Sequence, residues 1–208
     1  EAPLPVLGSG HPAELDVVDC DGDGDLDVAV SSDSFSGGYS RFYVNDGTGD
    51  LSTYQSVPAS GGGANKRKNV IDANGDGLLD YVAASSGLFV EIWIADGAGS
   101  FTLAPTTLPV SELPLSLDSG DIDGDGHAEL LVGGSSKLHV FTATGSASEP
   151  YFSSTATEIP GLRDTEVIRL ADVDSDGDLD VLVVDDVADA TVIFRNAGGA
   201  LSAPKNLS

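Results

Sequence analysis

The sequence predicts an all-β fold assembled from four copies of one unit of about 50 residues, each copy carrying four short strands. Three observations carry this prediction. First, an acidic loop, Asp19-Cys-Asp-Gly-Asp-Gly-Asp-Leu-Asp27, recurs in register as Asp72 to Asp80, Asp121 to Glu129 and Asp172 to Asp180, at spacings of 53, 49 and 51 residues. Second, every loop is followed by two apolar runs of strand length separated by about ten residues and closed by a glycine-bearing turn. Third, no stretch sustains a 3.6-residue apolar period, so no long helix is expected. A period near 50 lies in the range of solenoids and propeller blades.

The strands follow in order. A short segment precedes each loop: Leu15 to Val18, Asn69 to Ile71, Leu115 to Leu117 and Val167 to Leu170. The run after each loop is apolar or alternating (Leu26 to Val30, Leu79 to Ala83, Leu130 to Val132, Leu179 to Val184). The next run (Phe42 to Val44, Phe89 to Ile94, Leu138 to Phe141, Thr191 to Phe194) ends in a hairpin turn such as Asn45-Asp-Gly-Thr-Gly49 or Ala95-Asp-Gly-Ala-Gly99. A fourth segment is expected at Leu51 to Tyr54, Phe101 to Leu103, Tyr151-Phe152 and Leu201. The repeats span approximately residues 11–57, 64–108, 113–158 and 164–207 of one domain.

Composition bounds the function. The 208 residues hold 34 acidic against 9 basic side chains, a formal net charge of −25, which excludes nucleic-acid binding by bulk charge and repels anionic lipid. No run of about 18 apolar residues is present to insert into a membrane. The 40% hydrophobic content is enough for a core, so the acidity does not mean disorder. One cysteine, Cys20, excludes an internal disulfide framework and any multi-cysteine metal site. The chain starts at Glu1 and has no methionine, as a processed or excised segment would, and the expected location is outside the cell, secreted or on the surface.

The loops hold 17 of the 34 acids and are the strongest chemical signal. Carboxylates at loop positions 1, 3 and 5 with glycine at position 6 are what a hard cation needs when a chain curls its oxygens around it. The expected calcium ligands are Asp19, Asp21, Asp23, Asp25 and Asp27 in loop 1, and Asp72, Asn74, Asp76, Leu78 and Asp80 in loop 2. In loop 3 they are Asp121, Asp123, Asp125, His127 and Glu129, and in loop 4 Asp172, Asp174, Asp176, Asp178 and Asp180. Position 7, which accepts leucine, is expected to donate through its backbone carbonyl. An EF-hand would place glutamate at position 12, where Val30, Ala83, Val132 and Val183 stand, so that reading fails four times.

With these motifs the chain resembles the FG-GAP/VCBS repeats of β-propellers, found in integrin α-subunit heads, fungal propeller lectins and secreted bacterial proteins. The Asp-x-Asp-x-Asp-Gly-x-x-Asp/Glu loop and the Asn-Asp-Gly-Thr-Gly turn carry the resemblance, which covers nearly the whole chain. Asn74, Ser175 and the turn Thr142 to Gly145 depart from the pattern. The resemblance implies a β-propeller of four blades, each of four antiparallel strands, with a calcium loop between the first and second. Residues 2–6 resemble Leu108-Pro-Val110, so the ends fall at equivalent points of the repeat. A self-contained four-bladed ring is therefore expected, with a homodimer completing an eight-bladed ring, or a fragment of a longer array, as the alternatives.

The function this implies is an extracellular recognition or adhesion module, lectin-like, whose partners are carbohydrates or protein surfaces. The alternatives are a propeller enzyme of lyase or dehydratase type and a structural spacer in a larger surface protein. No catalytic constellation stands out. A cluster of His, Tyr or Arg at a channel mouth would favour lyase chemistry, and shallow inter-blade pockets would favour binding. Asp16, Asn69, Asp118 and Arg169, each three residues before a loop, form a candidate channel set: a salt-bridge ring, or else a small-ligand site. The aromatics Tyr43, Trp93, Phe141 and Phe194 share one repeat position and are expected to pack between blades. Cys20 is read as a small apolar anchor, His11, His127 and His139 as surface residues, and Lys66-Arg67-Lys68 as charge balance on a solvated segment.

Overall fold

The computed structural model describes residues 12–32, 39–51, 53–58, 68–85 and 87–207. The first sheet runs in the order β1 (Pro12–Val18), β2 (Asp27–Ser32), β3 (Tyr39–Val44), β4 (Thr53–Pro58). The second runs β5 (Lys68–Ile71), β6 (Asp80–Ser85), β7 (Phe89–Ala95), β8 (Phe101–Leu103), after which β9 (Leu108–Pro109) is a two-residue strand off this path. The third is β10 (Ser116–Gly120), β11 (Glu129–Gly133), β12 (Lys137–Phe141), β13 (Thr157–Pro160), and the fourth β14 (Thr165–Ala171), β15 (Asp180–Asp185), β16 (Ala190–Phe194), β17 (Lys205–Leu207). Within each sheet consecutive strands pair antiparallel, which makes each sheet a propeller blade. The fold is all-β, as the periodicity predicts.

Burial explains why the second strands read as continuous apolar runs. Every residue of β6 and of β11 is buried, so both faces of these strands are covered. The last strands β13 and β17 are mostly exposed and only four and three residues long, which keeps the sheet edges short. Two of the expected fourth strands are displaced. Tyr151-Phe152 contributes only an isolated bridge, Ala143 to Phe152, because Thr144 N–H and Ser153 N–H donate to the Tyr151 and Thr142 carbonyls at 2.8 Å and lengthen the turn. Regular pairing to β12 resumes at Thr157. The strand expected at Leu201 forms at Lys205–Leu207, after Ser202 N–H has bonded the Arg195 carbonyl at 2.7 Å.

The described residues fall into two compact units, those within 12–72 and 76–107 and those within 73–75 and 108–207. The first has a core of Cys20, Ala29, Phe42, Val57, Tyr81, Ala83 and Trp93, in which the Phe42 and Tyr81 rings meet edge to face at 5.3 Å. The second packs Ile122, Leu131, Leu138, Ile168, Val181, Val183 and Phe194. Tyr43, Trp93, Phe141 and Phe194 are all buried, and Trp93 and Phe194 lie in cores shared by two blades. Cys20 is buried in the first core, where burial and then the Asp27 carboxylate push its thiol pKa far up, so it is an unreactive anchor.

Two expectations fail. His139 is 1% exposed because its position on β12 faces inward: Nε2 bonds Ser111 Oγ at 3.0 Å, and Nδ1 lies 3.3 Å from the Val132 carbonyl. Lys68 is not on a solvated segment. Its position on β5 buries the side chain, and Nζ binds Asp16 Oδ2 at 2.7 Å. Lys66, Arg67, His11 and residues 2–6 lie outside the described residues.

Glu112 holds the turn between β11 and β12 by accepting from Ser136 N–H and Lys137 N–H at 2.9 Å, and from the Ser135 and Ser136 hydroxyls at 3.0 and 2.8 Å. Burial alone would raise its pKa, but these donors hold it below the usual glutamate range. A lowered carboxylate pKa contributes stability above the unfolded pKa, and that contribution is lost as pH falls through the folded value. Glu112→Ala should therefore cost about 2 kcal/mol at neutral pH in denaturant unfolding, the difference shrinking in acid below the glutamate range.

Candidate metal sites

The acidic loops join the first strand of each blade to the second: β1 to β2, β5 to β6, β10 to β11 and β14 to β15. Each coils around its first carboxylate. Asp19 accepts from Gly22 N–H at 2.8 Å and Gly24 N–H at 3.0 Å, and Asp121 from Gly124 N–H at 2.7 Å and Gly126 N–H at 2.9 Å. Asp72 and Asp172 take the N–H groups of Gly77 and Gly177 in the same way, at 3.0 and 3.1 Å. Gly24, Gly77, Gly126 and Gly177 at position 6 have φ between 88° and 98°, outside the ordinary range of side-chain-bearing residues. At position 4 Ser175 adopts φ 65° where the other loops have glycine, a strain of about 1 kcal/mol or more.

Among the described residues three carboxylate clusters could hold a metal ion: Asp19, Asp21 and Asp27; Asp121, Asp123 and Glu129; Asp172, Asp174 and Asp180. They are positions 1, 3 and 9 of loops 1, 3 and 4, and in each cluster one oxygen per residue lies within 4.8 Å of the others. Calcium–oxygen bonds are about 2.3–2.6 Å long, so two oxygens on one ion can be no more than about 5 Å apart, and the clusters fit. In loop 2 position 3 is Asn74, so of the positions 1, 3 and 9 only Asp72 and Asp80 are carboxylates. The position 5 acids Asp23, Asp76, Asp125 and Asp176 lie outside these clusters, each accepting the N–H of position 7 at 2.8 to 3.0 Å. At position 7 the side chains meet the hairpin turn of the same blade. A Cβ on Gly47 would lie 2.6 Å from Asp25 Oδ2, one on Gly145 would lie 2.7 Å from His127 Nε2, and Gly198 N–H donates to Asp178 Oδ2 at 2.7 Å.

Position 9 has a second role that sequence reasoning missed. Asp27, Asp80, Glu129 and Asp180 are 0–1% exposed, and each clamps the hairpin turn of its own blade. Asp27 accepts from Cys20 N–H at 2.8 Å and from Asn45 N–H at 2.7 Å. Asp80 accepts from Ala95 N–H at 2.8 Å, and Glu129 from Ile122 N–H at 3.0 Å and Ala143 N–H at 3.3 Å. Asp180 accepts from Val173 N–H at 3.2 Å, Asn196 N–H at 2.8 Å and the Arg195 guanidinium at 2.6 Å. The one available signal was the acid at position 9 in all four copies, 15 to 18 residues before a glycine turn in the first, second and fourth.

Crowding shows in the carboxyl pKa values. Burial first, and then neighbouring carboxylates, raise Asp21, Glu129 and Asp174 above the ordinary range. Burial also opposes ionisation of Asp180, but the Asn196 and Val173 N–H groups and Arg195 outweigh it and hold its pKa low. The candidate channel residues are tied into local bonds. In the first unit Asp16 pairs with Lys68, and Asn69 Oδ1 accepts from Val70 N–H at 2.9 Å. In the second unit Asp118, with a pKa raised by burial, accepts from Ser119 and Leu170 N–H at 3.0 Å, and the exposed Arg169 donates to the Ile168 carbonyl at 2.7 Å.

Four-stranded blades with an acidic loop between their first two strands define a β-propeller of repeat type. The chain belongs to the FG-GAP-like repeat family, whose pattern matches residues 19–83, 72–132 and 121–183. No curated protein sequence matches it. Among solved structures it is similar to an Agrocybe aegerita lectin described as recognising non-reducing terminal N-acetylglucosamine (TM-score 0.60, 18% identity, 91% of this chain and 50% of that one). It is also similar to the V. cholerae biofilm matrix protein Bap1 (0.54, 20%, 95% and 32%) and to BBS1N from its complex with ARL6DN (0.62, 12%, 94% and 56%). The chain thus spans about half or less of the length of the lectin and Bap1. No helix among the described residues is long and apolar enough to cross a membrane.

Proposed function

We propose that the protein is an extracellular recognition module whose blades are held by calcium, one ion per acidic loop, with carbohydrate as its leading ligand class and protein surfaces as the other. The calcium reading rests on the donor set: hard carboxylate oxygens at ionic spacing, with other lone pairs already bonded to backbone N–H groups. Such oxygen-rich, flexible sites suit calcium better than magnesium, and thiolate or imidazole metals find no matching donors in them. Ligand charge sets part of the affinity, so loop 2, with neutral Asn74, fills late. In calorimetric titration Asn74→Asp should tighten one site by about tenfold, and no change at any site would count against carboxylate ligation at position 3.

The recognition reading is carried by an open groove of about 250 Å³ in the second unit, between its two sheets. Aliphatic Val140, Ile159 and Leu201 line it beside the Thr142 and Thr157 hydroxyls and the loop 3 acids Asp123 and Glu129. Apolar wall, hydroxyls and carboxylates suit the mixed face of a sugar ring, and a groove of this kind favours binding over lyase chemistry. The lectin neighbour's terminal N-acetylglucosamine is the first sugar to test. On a glycan array, retention in calcium that is lost in chelator and lost in Leu201→Arg supports the reading. Retention of no glycan in calcium overturns the carbohydrate assignment.

A further inference from the structure

Loop 4 differs from the others in one respect that its acidic motif does not show. The residue preceding the N–H donor that clamps position 9 is Val44 in the first repeat, Ile94 in the second, Thr142 in the third and Arg195 in the fourth. Arg195 is anchored through its backbone, its N–H donating to Ser202 Oγ at 2.9 Å and its carbonyl accepting from Ser202 N–H at 2.7 Å. Its guanidinium reaches into the carboxylate cluster, with Nη1 2.6 Å from Asp180 Oδ2 and 3.3 Å from Asp174 Oδ2. Those are two of the three acids that loop 4 contributes to its cluster, and the third, Asp172, is occupied by loop N–H groups from Ser175, Asp176 and Gly177.

We propose that Arg195 is a built-in counter-ion that competes with calcium at loop 4, making that loop the site that stays ordered when empty and fills only at high calcium. The proposal rests on the calcium reading above. A guanidinium is charged at every working pH and cannot be neutralised to make room. A divalent ion entering between Asp174 and Asp180 must therefore displace it or sit beside a fixed positive charge a few ångströms away. Loops 1 and 3, with Val44 and Thr142 at the equivalent place, have no such competitor from that position. The chain would then hold two kinds of blade joint: calcium-gated ones, and one closed by its own arginine. Calcium concentration would change the first kind over a range in which the fourth loop keeps its shape.

The test is calcium titration of the metal-free protein by calorimetry, together with thermal unfolding in chelator, for the wild type, Arg195→Val and the converse Val44→Arg. Arg195→Val should tighten one site by about tenfold or more, leave the other sites unchanged, and unfold at lower temperature than wild type in chelator but not in saturating calcium. Val44→Arg should weaken one tight site by a similar factor, an outcome independent of whether Arg195→Val folds. Wild type that binds calcium normally while both variants leave every affinity unchanged would overturn the role of Arg195 and leave the calcium reading standing. Calcium binding to none of the three proteins would overturn the calcium reading and this inference with it.

Discussion

In excess chelator the protein is expected to unfold at a temperature about 10–20 °C lower than in millimolar calcium. A site filled at a hundredfold excess over its dissociation constant stabilises the native state by about 2.7 kcal/mol. Loops 1 and 3 alone then contribute about 5 kcal/mol, and a chain of this length shifts its midpoint by about 2–4 °C per kcal/mol. The whole stability of such a domain is only about 5–15 kcal/mol, so the empty form is marginal. Its structural cause is the clusters themselves, where Asp21 and Glu129 are already driven toward protonation by burial and by neighbouring carboxylates. Calorimetric scans in calcium and in chelator make the measurement, and coincident midpoints would contradict the linkage.

Asp27→Ala should be severely destabilising with or without calcium, whereas Asp21→Ala should be costly only in its presence. Both side chains belong to the loop 1 cluster. Asp27 is fully buried and clamps the buried Cys20 N–H and the half-buried Asn45 N–H, so its removal strands one donor in the interior and one at its edge. At about 1–3 kcal/mol for each unsatisfied buried group, the loss is about 2–6 kcal/mol before any metal is considered. Asp21 is partly exposed and accepts only a 3.3 Å bond from Asp23 N–H, which water can replace. Denaturant unfolding of both variants in chelator separates the two roles: a loss for Asp27→Ala equal to that for Asp21→Ala would show that the position 9 acid is a metal ligand and nothing more.

The repeat was legible because period, strand run and acidic loop coincide four times, and a strand such as β11, buried on both faces, cannot hide its apolar sequence. The turn after β12 was not legible, because Thr142 to Gly145 has lost the glycine pattern and its new path is set by bonds between Thr144 and the Pro150 and Tyr151 carbonyls, which composition does not announce. Charge misled at Lys68: a lysine in a basic tripeptide reads as solvated, yet a single carboxylate from the neighbouring blade, Asp16, is enough to bury it. The acids at positions 1, 3 and 9 that gather in loops 1, 3 and 4 could be read from spacing alone. The clamp from position 9 to the hairpin turn, and Arg195 at loop 4, could not, since both join residues 14 to 21 positions apart through the register of the second and third strands.

Equilibrium calcium content tests the central claim most directly. The metal-free protein is dialysed against calcium from micromolar to millimolar concentrations at physiological salt and magnesium, and bound calcium per chain is read by atomic emission. Four calcium ions per chain at saturation, with loops 2 and 4 the last to fill and magnesium unable to replace them, is the predicted result. A chain that takes up no calcium at millimolar concentration, or that exchanges it freely for magnesium, would contradict the assignment of these loops as calcium sites.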